Sequence, residues 1–189
     1  TASAWIISQY QFVGRRVLEW LLLLPLAMPA YIIAYTYTGM LDFAGPVQTA
    51  LRAQFDWRYG DYWFPQIRSL SGAIIMLSLV LYPYVYMLAR SAFREQSASL
   101  FEASRTLGLT PRQHFWKVAL PLARPAILTG TALAMMEAFA DYGTVQYFGV
   151  TTFTTGIFRT WFGMGNQVAA AQLAAMLTGF VLLLLLLER

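Results

Sequence analysis

Few side chains in this 189-residue chain could do chemistry, and their spacing narrows what that chemistry is. Glu137 and Asp141 stand four residues apart in an otherwise apolar stretch, which on a helix puts both carboxylates on one face. Charges inside apolar spans are costly, so the pair reads first as a functional site. Two like charges at that spacing call for a cation, a proton or a basic group from another helix. A hard cation such as ferric iron takes oxygen ligands, and carboxylates with a tyrosinate would suit it; Tyr142 and Tyr147 follow closely. The competing role is packing, with Asp141 in a wet outer interface and Glu137 hydrogen-bonded to a neighbouring helix. The pair alone therefore assigns no metal site. His114 is the single histidine and there is no cysteine, which excludes thiolate sites, His-rich zinc sites and a Cys nucleophile. Without co-ligands, His114 reads as a surface histidine. No GxxxxGK[ST] phosphate loop and no nucleophile–base–orienter set occurs, so the chain is expected to bind no ATP, to hold no cofactor and to catalyse no reaction.

The elements that must position these residues are membrane helices. The chain is 58% hydrophobic and 12% charged, against about 25% charged in a soluble domain. Aromatic residues at 16% exclude disorder. Spans are expected at about 17–38, 67–89, 121–141 and 167–187, each near the roughly 20 residues a bilayer requires. Pro25, Pro29 and Pro83 inside them predict kinks. Residues 1–10 read as the end of a span whose start is missing, and the chain stops where a helix would meet the cytoplasm. It is therefore expected to be a fragment of a longer membrane protein, with 1–189 as one transmembrane domain. Met28, Met76, Met135, Met136 and Met176 read as filling between helices. Nine of the thirteen Lys and Arg fall on one side of this arrangement, which makes that side cytoplasmic. The outer loops, 39–66 and 142–165, carry Tyr59, Tyr62, Trp63, Phe64, Trp161 and Phe162 as an interfacial belt.

The segment 90–120 is the long cytoplasmic loop. Ser99 with Glu102 forms a capping-box pattern, predicting a helix from Leu100 that ends at Gly108. Thr110 with Gln113 forms a second, with Pro111 at the first helical position. The second helix should bury Phe115, Val118 and Ala119, turn Arg112, Gln113 and Lys117 outward, and lead to Leu120 and Pro121, where the next span begins. A DNA-reading helix-turn-helix is excluded, because spans on both sides hold the unit too close to the membrane to enter a groove. A topogenic basic loop and a docking knob for a cytoplasmic partner remain.

The spacing is Glu102-Ala103-Ser104, three residues, Gly108, nine residues, Val118, one residue, Leu120-Pro121. It resembles the EAA loop of ATP-binding-cassette importer permeases, with Ser for the third-position Ala and Val for Ile. The stretches LPLAMPAYIIAYTYTGMLDFAGPVQTALR, EQSASLFEASRTLGLTPRQHFWKVALPLARPAI and EAFADYGTVQYFGVTTFTTGIFRTWFGMG are similar to the ferric-iron permeases of that family. The resemblance implies an all-α polytopic bundle of the MetI-like type I importer fold with a coupling helix in the loop. It implies one half of a two-half permease in the bacterial inner membrane. Partners would be ATPase subunits carrying the ATP and Mg, a second permease half and a periplasmic binding protein, within a lipid bilayer and without nucleic acid. Ala103 and Ser104 would keep one helix face slim enough for a groove on the ATPase. Gly108 would permit the reversal, and Glu102 would meet a basic group there or cap its own helix. Ferric iron is the implied substrate; thiamine, polyamine and sulfate are carried by related permeases. Polyamine would suit the acidic pair, and sulfate would not, for want of a basic residue inside a span. A passive helical channel or scaffold is the alternative from another class.

Overall fold

A computed structural model of the chain describes residues 1–58, 60–96 and 98–187. Tyr59 of the expected aromatic belt thus lies outside the described residues, as do positions 188 and 189. Every regular element among them is helical, as expected of an all-α bundle. The order is α1 (Ala2–Gln9), α2 (Arg15–Leu21), α3 (Ala30–Leu41), α4 (Pro46–Phe55), α5 (Leu70–Glu95), α6 (Ala98–Thr106), α7 (Pro111–His114), α8 (Leu120–Ala140), α9 (Gly143–Tyr147), α10 (Phe153–Phe158) and α11 (Gln167–Leu187). Among the described residues, three helical stretches are long and apolar enough to cross a bilayer: Leu70–Glu95, Pro111–Ala140 and Gln167–Leu186.

The stretch expected as a span at 17–38 is not one helix. α2 stops at Leu21, a 3-10 turn covers Leu24–Ala27, and α3 restarts at Ala30. Pro25 and Pro29 bring no amide to the ladder and crowd the carbonyl four residues back, so two of them in five residues break the helix rather than bend it. Pro29 instead precedes α3 with an extended ψ of 140°. Pro83 behaves differently: α5 runs through it unbroken, and the ring is fully buried. α5 also continues six residues past the expected end at 89.

The chain divides into two compact units. The first takes residues 1–24, 81–137 and those from 183 on. Its core joins Trp5 and Ile7 of α1, Tyr86, Ala89 and Phe93 of α5, and Ala119 and Ala123 at the start of α8. The alanines let backbones close in, and Gly130 carries this furthest: a Cβ there would lie 2.8 Å from the Val85 Cα. Glu19 of α2 pairs with Arg90 of α5, with side chains only 22% and 15% exposed. Gln9 donates to the Phe93 carbonyl at 3.2 Å, tying α1 to α5 once more.

The second unit takes residues 25–80 and 138–182. Ala34, Ala73, Met76 and Phe148 form its core. Pro46 opens α4 at a position where the amide would be orphaned anyway. Gln48 and Arg52 of α4 organise the loop: the Tyr62 hydroxyl accepts from Arg52 at 3.0 Å and donates to Gln48 at 2.7 Å. Trp63 stands 86% exposed beside them. Of the methionines expected between helices, Met76 is buried, while Met28, Met135, Met136 and Met176 stand on exposed faces. Such faces suit lipid or another subunit.

Candidate functional site

The segment 98–119 folds as a rigid knuckle whose turns are fixed by local chemistry. α6 begins at Ala98, so Ser99 stands within the first turn and not at the cap expected for it. Alanine is the best helix former, and the helix starts at Ala98, two residues before the expected Leu100. The far end behaves as expected. Gly108 adopts φ +79°, its amide bonds the Arg105 carbonyl at 2.9 Å, and the Leu109 amide bonds the Ser104 carbonyl at 3.0 Å. These two bonds are a Schellman closure, which needs a left-handed residue at the position Gly108 fills. Thr110 then forms the expected capping box: its Oγ1 accepts from the Gln113 amide at 3.3 Å, and Gln113 Oε1 accepts from the Thr110 amide at 2.9 Å.

Beyond His114 the helix does not end before the next span. A π-helical turn covers Phe115–Ala119 and passes directly into α8, so Pro111–Ala140 is one rod and Pro121 starts nothing. Pro121 has no amide to return, and the wider turn before it accommodates that loss. Gln96 braces the junction, donating to the Ala119 carbonyl at 2.9 Å. Phe115 and Val118 are half-buried and Ala119 buried, while Arg112, Gln113 and Lys117 are exposed, as their spacing predicted.

α6 presents two distinct faces. Glu102, Ala103 and Arg105 are exposed, and Leu107 at the tip is 80% exposed. Glu102 makes no hydrogen bond or ion pair among the described residues, and at the fifth position of α6 it caps nothing. Ser104 does not share that outer surface: it is buried, three residues from Phe101 on the inner face, and its hydroxyl donates to the Phe101 carbonyl at 2.7 Å. The slim outer face therefore belongs to Ala103, and Ser104 keeps α6 close to its own support. His114 corrects the expectation of a surface histidine. It is buried, against the rings of Phe101 and Trp5. Trp5 lies more than a hundred residues away in sequence, so no local pattern could announce that burial.

The acidic pair is not a pair on one face. α8 ends at Ala140, which leaves Glu137 in its last turn and Asp141 beyond it. Glu137 is exposed and makes no hydrogen bond or ion pair among the described residues. Asp141 is fully engaged: its Oδ1 accepts from the Thr144 and Val145 amides at 2.9 and 3.1 Å, and its Oδ2 from the Thr144 hydroxyl at 3.0 Å. It holds the start of α9 in the manner of an N-cap, satisfying amides that have no helical partner. The sequence carries this cap as Asp141-x-x-Thr144, a cap spacing as legible as the spacing of the carboxylate pair. Asp141 also accepts the Thr154 hydroxyl at its carbonyl, 2.8 Å.

The two tyrosines part company as well. Tyr147 is held by Arg68, with Nη2 donating to its hydroxyl at 3.3 Å and the guanidinium 5.0 Å above its ring. Tyr142 stacks on Phe158 at 4.1 Å and lines a cavity of about 770 Å³ together with Gln146, Arg159 and Phe162. Arg159, which sequence reasoning did not single out, brings a cation to that cavity, and no carboxylate is among its described lining residues. No cluster of three His, Asp or Glu able to hold a metal occurs among the described residues.

Comparison with known proteins places these features. The profile of the family described as binding-protein-dependent transport system inner membrane component matches residues 2–189. The sulfate transport system permease protein CysT of Salmonella typhimurium is 31% identical over 144 residues, 76% of this chain and 49% of that protein. The Fe(3+)-transport system permease protein FbpB 2 of Haemophilus influenzae is 26% identical over 184 residues, 97% of this chain and 32% of that protein. The molybdenum transport system permease protein ModB of Escherichia coli is 28% identical over 145 residues, 77% of this chain and 60% of that protein. The chain thus spans about half or less of the length of the first two relatives.

Proposed function

Because this chain belongs to the family of binding-protein-dependent transport system inner membrane components, we propose that it is the permease half of an ATP-binding-cassette importer. It is a multi-pass inner-membrane protein. On this reading the knuckle faces the cytoplasm, ATPase subunits seat on α6, and a periplasmic binding protein delivers substrate to the outer loops. The observation that carries the reading is the geometry of α6 and its turn. A helix closed at its far end by the Gly108 turn offers Glu102 and Ala103 outward, Glu102 with no hydrogen bond or ion pair among the described residues, and it is braced on a rod that runs into the membrane. ATP chemistry belongs to the partners, and this chain converts their closure into a change of access.

Ferric iron is the substrate this reading assigns. Its support is the similarity to the Fe(3+)-transport permease, which extends over 97% of the chain, and the exposed Glu137, without a partner among the described residues, whose oxygens suit a hard cation. Arg159 favours a second reading: a cavity with a cation and no carboxylate among its described lining residues suits an oxyanion, the cargo that the names of the sulfate and molybdenum relatives indicate. The test is uptake into liposomes holding the full-length permease, its ATPase and its binding protein, offered radioactive iron, sulfate or molybdate. ATP-dependent iron uptake is the expected result. Uptake of an oxyanion instead would move the assignment to the second reading. Failure to associate with any ATPase would overturn the importer and leave a passive channel or scaffold.

A further inference from the structure

A row of four rings runs through the first unit. Phe101 on the inner face of α6 meets His114 edge-to-face, with centroids 5.0 Å apart and planes at 86°. His114 meets Trp5 of α1 at 5.7 Å. Trp5 meets Phe93 of α5 edge-to-face at 5.2 Å, and Phe115 lies 5.3 Å from Trp5 on its flank. His114 is 3% exposed, Trp5 7% and Phe93 fully buried. The His114 Nδ1 is buried with no hydrogen-bond partner among the described residues. An imidazole in this setting contributes the shape of its ring, since a buried polar atom left unpaired is a cost and not a gain.

We propose that this row is the strut that carries movement of α6 to α1 and α5, with His114 as its positioning residue. The proposal rests on the importer reading, in which α6 receives the push of the ATPase. Close-packed interiors are poorly compressible and transmit strain, and edge-to-face rings fix angle as well as distance. α6 can reach the bundle by two routes. One is the chain itself, through the Gly108 turn into the rod that starts at Pro111. The other is the ring row, which leaves that rod sideways at His114 and ends on α1 at Trp5 and on α5 at Phe93, so that α5 is held by the row as well as by its backbone contact with the rod at Gly130. Through the row, a displacement of α6 moves α1 and α5 together with α8. Without it, α6 can still dock, and the rod can still move, while α1 and the Phe93 end of α5 receive less of that movement.

The experiment uses the full-length permease reconstituted with its ATPase and binding protein, and reads iron taken up per ATP hydrolysed. His114→Ala should leave the complex assembled and hydrolysing ATP while uptake per ATP falls about tenfold, within the range seen when residues inside a coupling network are changed. His114→Phe, which restores a ring without the imidazole nitrogens, should return the ratio to near the wild-type value. Phe101→Leu, at the half-buried end of the row, should lower the ratio in the same direction, which keeps the test informative if His114→Ala folds poorly. An unchanged ratio in Phe101→Leu or in folded His114→Ala would overturn the strut. So would a His114→Phe protein as uncoupled as His114→Ala, since ring shape would then not be the property that matters. If the wild-type permease recruits no ATPase, the importer reading itself fails, a result separable from either of these.

Discussion

The close approach at Gly130 gives a steric prediction whose size can be worked out. A Cβ at this position would stand 2.8 Å from the Val85 Cα, 3.1 Å from the Tyr84 carbonyl oxygen and 3.3 Å from the Val85 nitrogen. These are backbone atoms, so no side chain can swing aside. Carbon atoms settle at about 3.5–4.0 Å, so α5 and α8 must part locally by roughly 0.7–1.2 Å. Overpacking of this kind costs about 1–3 kcal/mol, offset by about 1 kcal/mol gained in helix propensity when Ala replaces Gly. Gly130→Ala should therefore be net destabilising by up to about 2 kcal/mol, and Gly130→Leu by more. The control is Gly179→Ala on α11, where a Cβ meets nothing within 4 Å and only the propensity gain applies. The assay is the thermal unfolding midpoint of the full-length protein in detergent, where 1 kcal/mol corresponds to about 2–4 °C in a domain of this size. Gly130→Ala should melt lower than wild type and Gly179→Ala at or above it. If both rise together, the helices are not in contact at Gly130 and the packing of the first unit is wrong.

Three further predictions follow from single contacts. Asp141→Ala removes the acceptors of two amides and should cost about 1 kcal/mol at the start of α9, seen as roughly fivefold faster hydrogen exchange at Thr144 and Val145; unchanged exchange would mean the carboxylate is not the cap. Arg90→Ala strands Glu19 in a mostly buried position and should destabilise by about 1–3 kcal/mol, with the exchanged pair Glu19→Arg plus Arg90→Glu recovering part of the loss; equal instability of the exchanged pair would speak against a direct ion pair. Gly108→Ala forces a side chain to φ +79° at about 1–2 kcal/mol, and Gly108→Asn should cost less; limited proteolysis between α6 and α7 should rise from wild type through Gly108→Asn to Gly108→Ala, and equal cleavage in all three proteins would contradict the left-handed closure.

What could be read directly from the sequence was chemistry confined to a few neighbouring residues. The Thr110–Gln113 box with Pro111, the glycine closure at Gly108 and the outward Arg112, Gln113 and Lys117 all depend on contacts within a turn or two, and all stand in the structure. Long apolar runs located the helices at 70–95 and 167–187 for the same reason. What failed depended on competition or on distant partners. Hydropathy joined 17–38 into one span because it counts side chains, whereas the backbone of Pro25 and Pro29 decides where a helix can continue. Spacing put Glu137 and Asp141 on one face because it assumed the helix ran on, but Asp141 spends its oxygens on the amides of α9. His114 and the four exposed methionines show the same limit from two sides: burial is set by what packs from elsewhere, which is Trp5 in one case, while in the other nothing among the described residues covers the side chains.

The central claim is that the outer face of α6 is where an ATPase seats, and a cross-link tests it most directly. The 189 residues hold no cysteine, so in the full-length permease freed of any other cysteine Ala103→Cys puts one thiol on the exposed face of α6 and Ser104→Cys puts one on its buried face. With the full-length permease assembled in membranes, a short thiol cross-linker should join the protein carrying Ala103→Cys to an ATPase subunit and leave the Ser104→Cys protein unlinked. A permease that transports normally yet gives no ATPase adduct from Ala103→Cys would contradict the account.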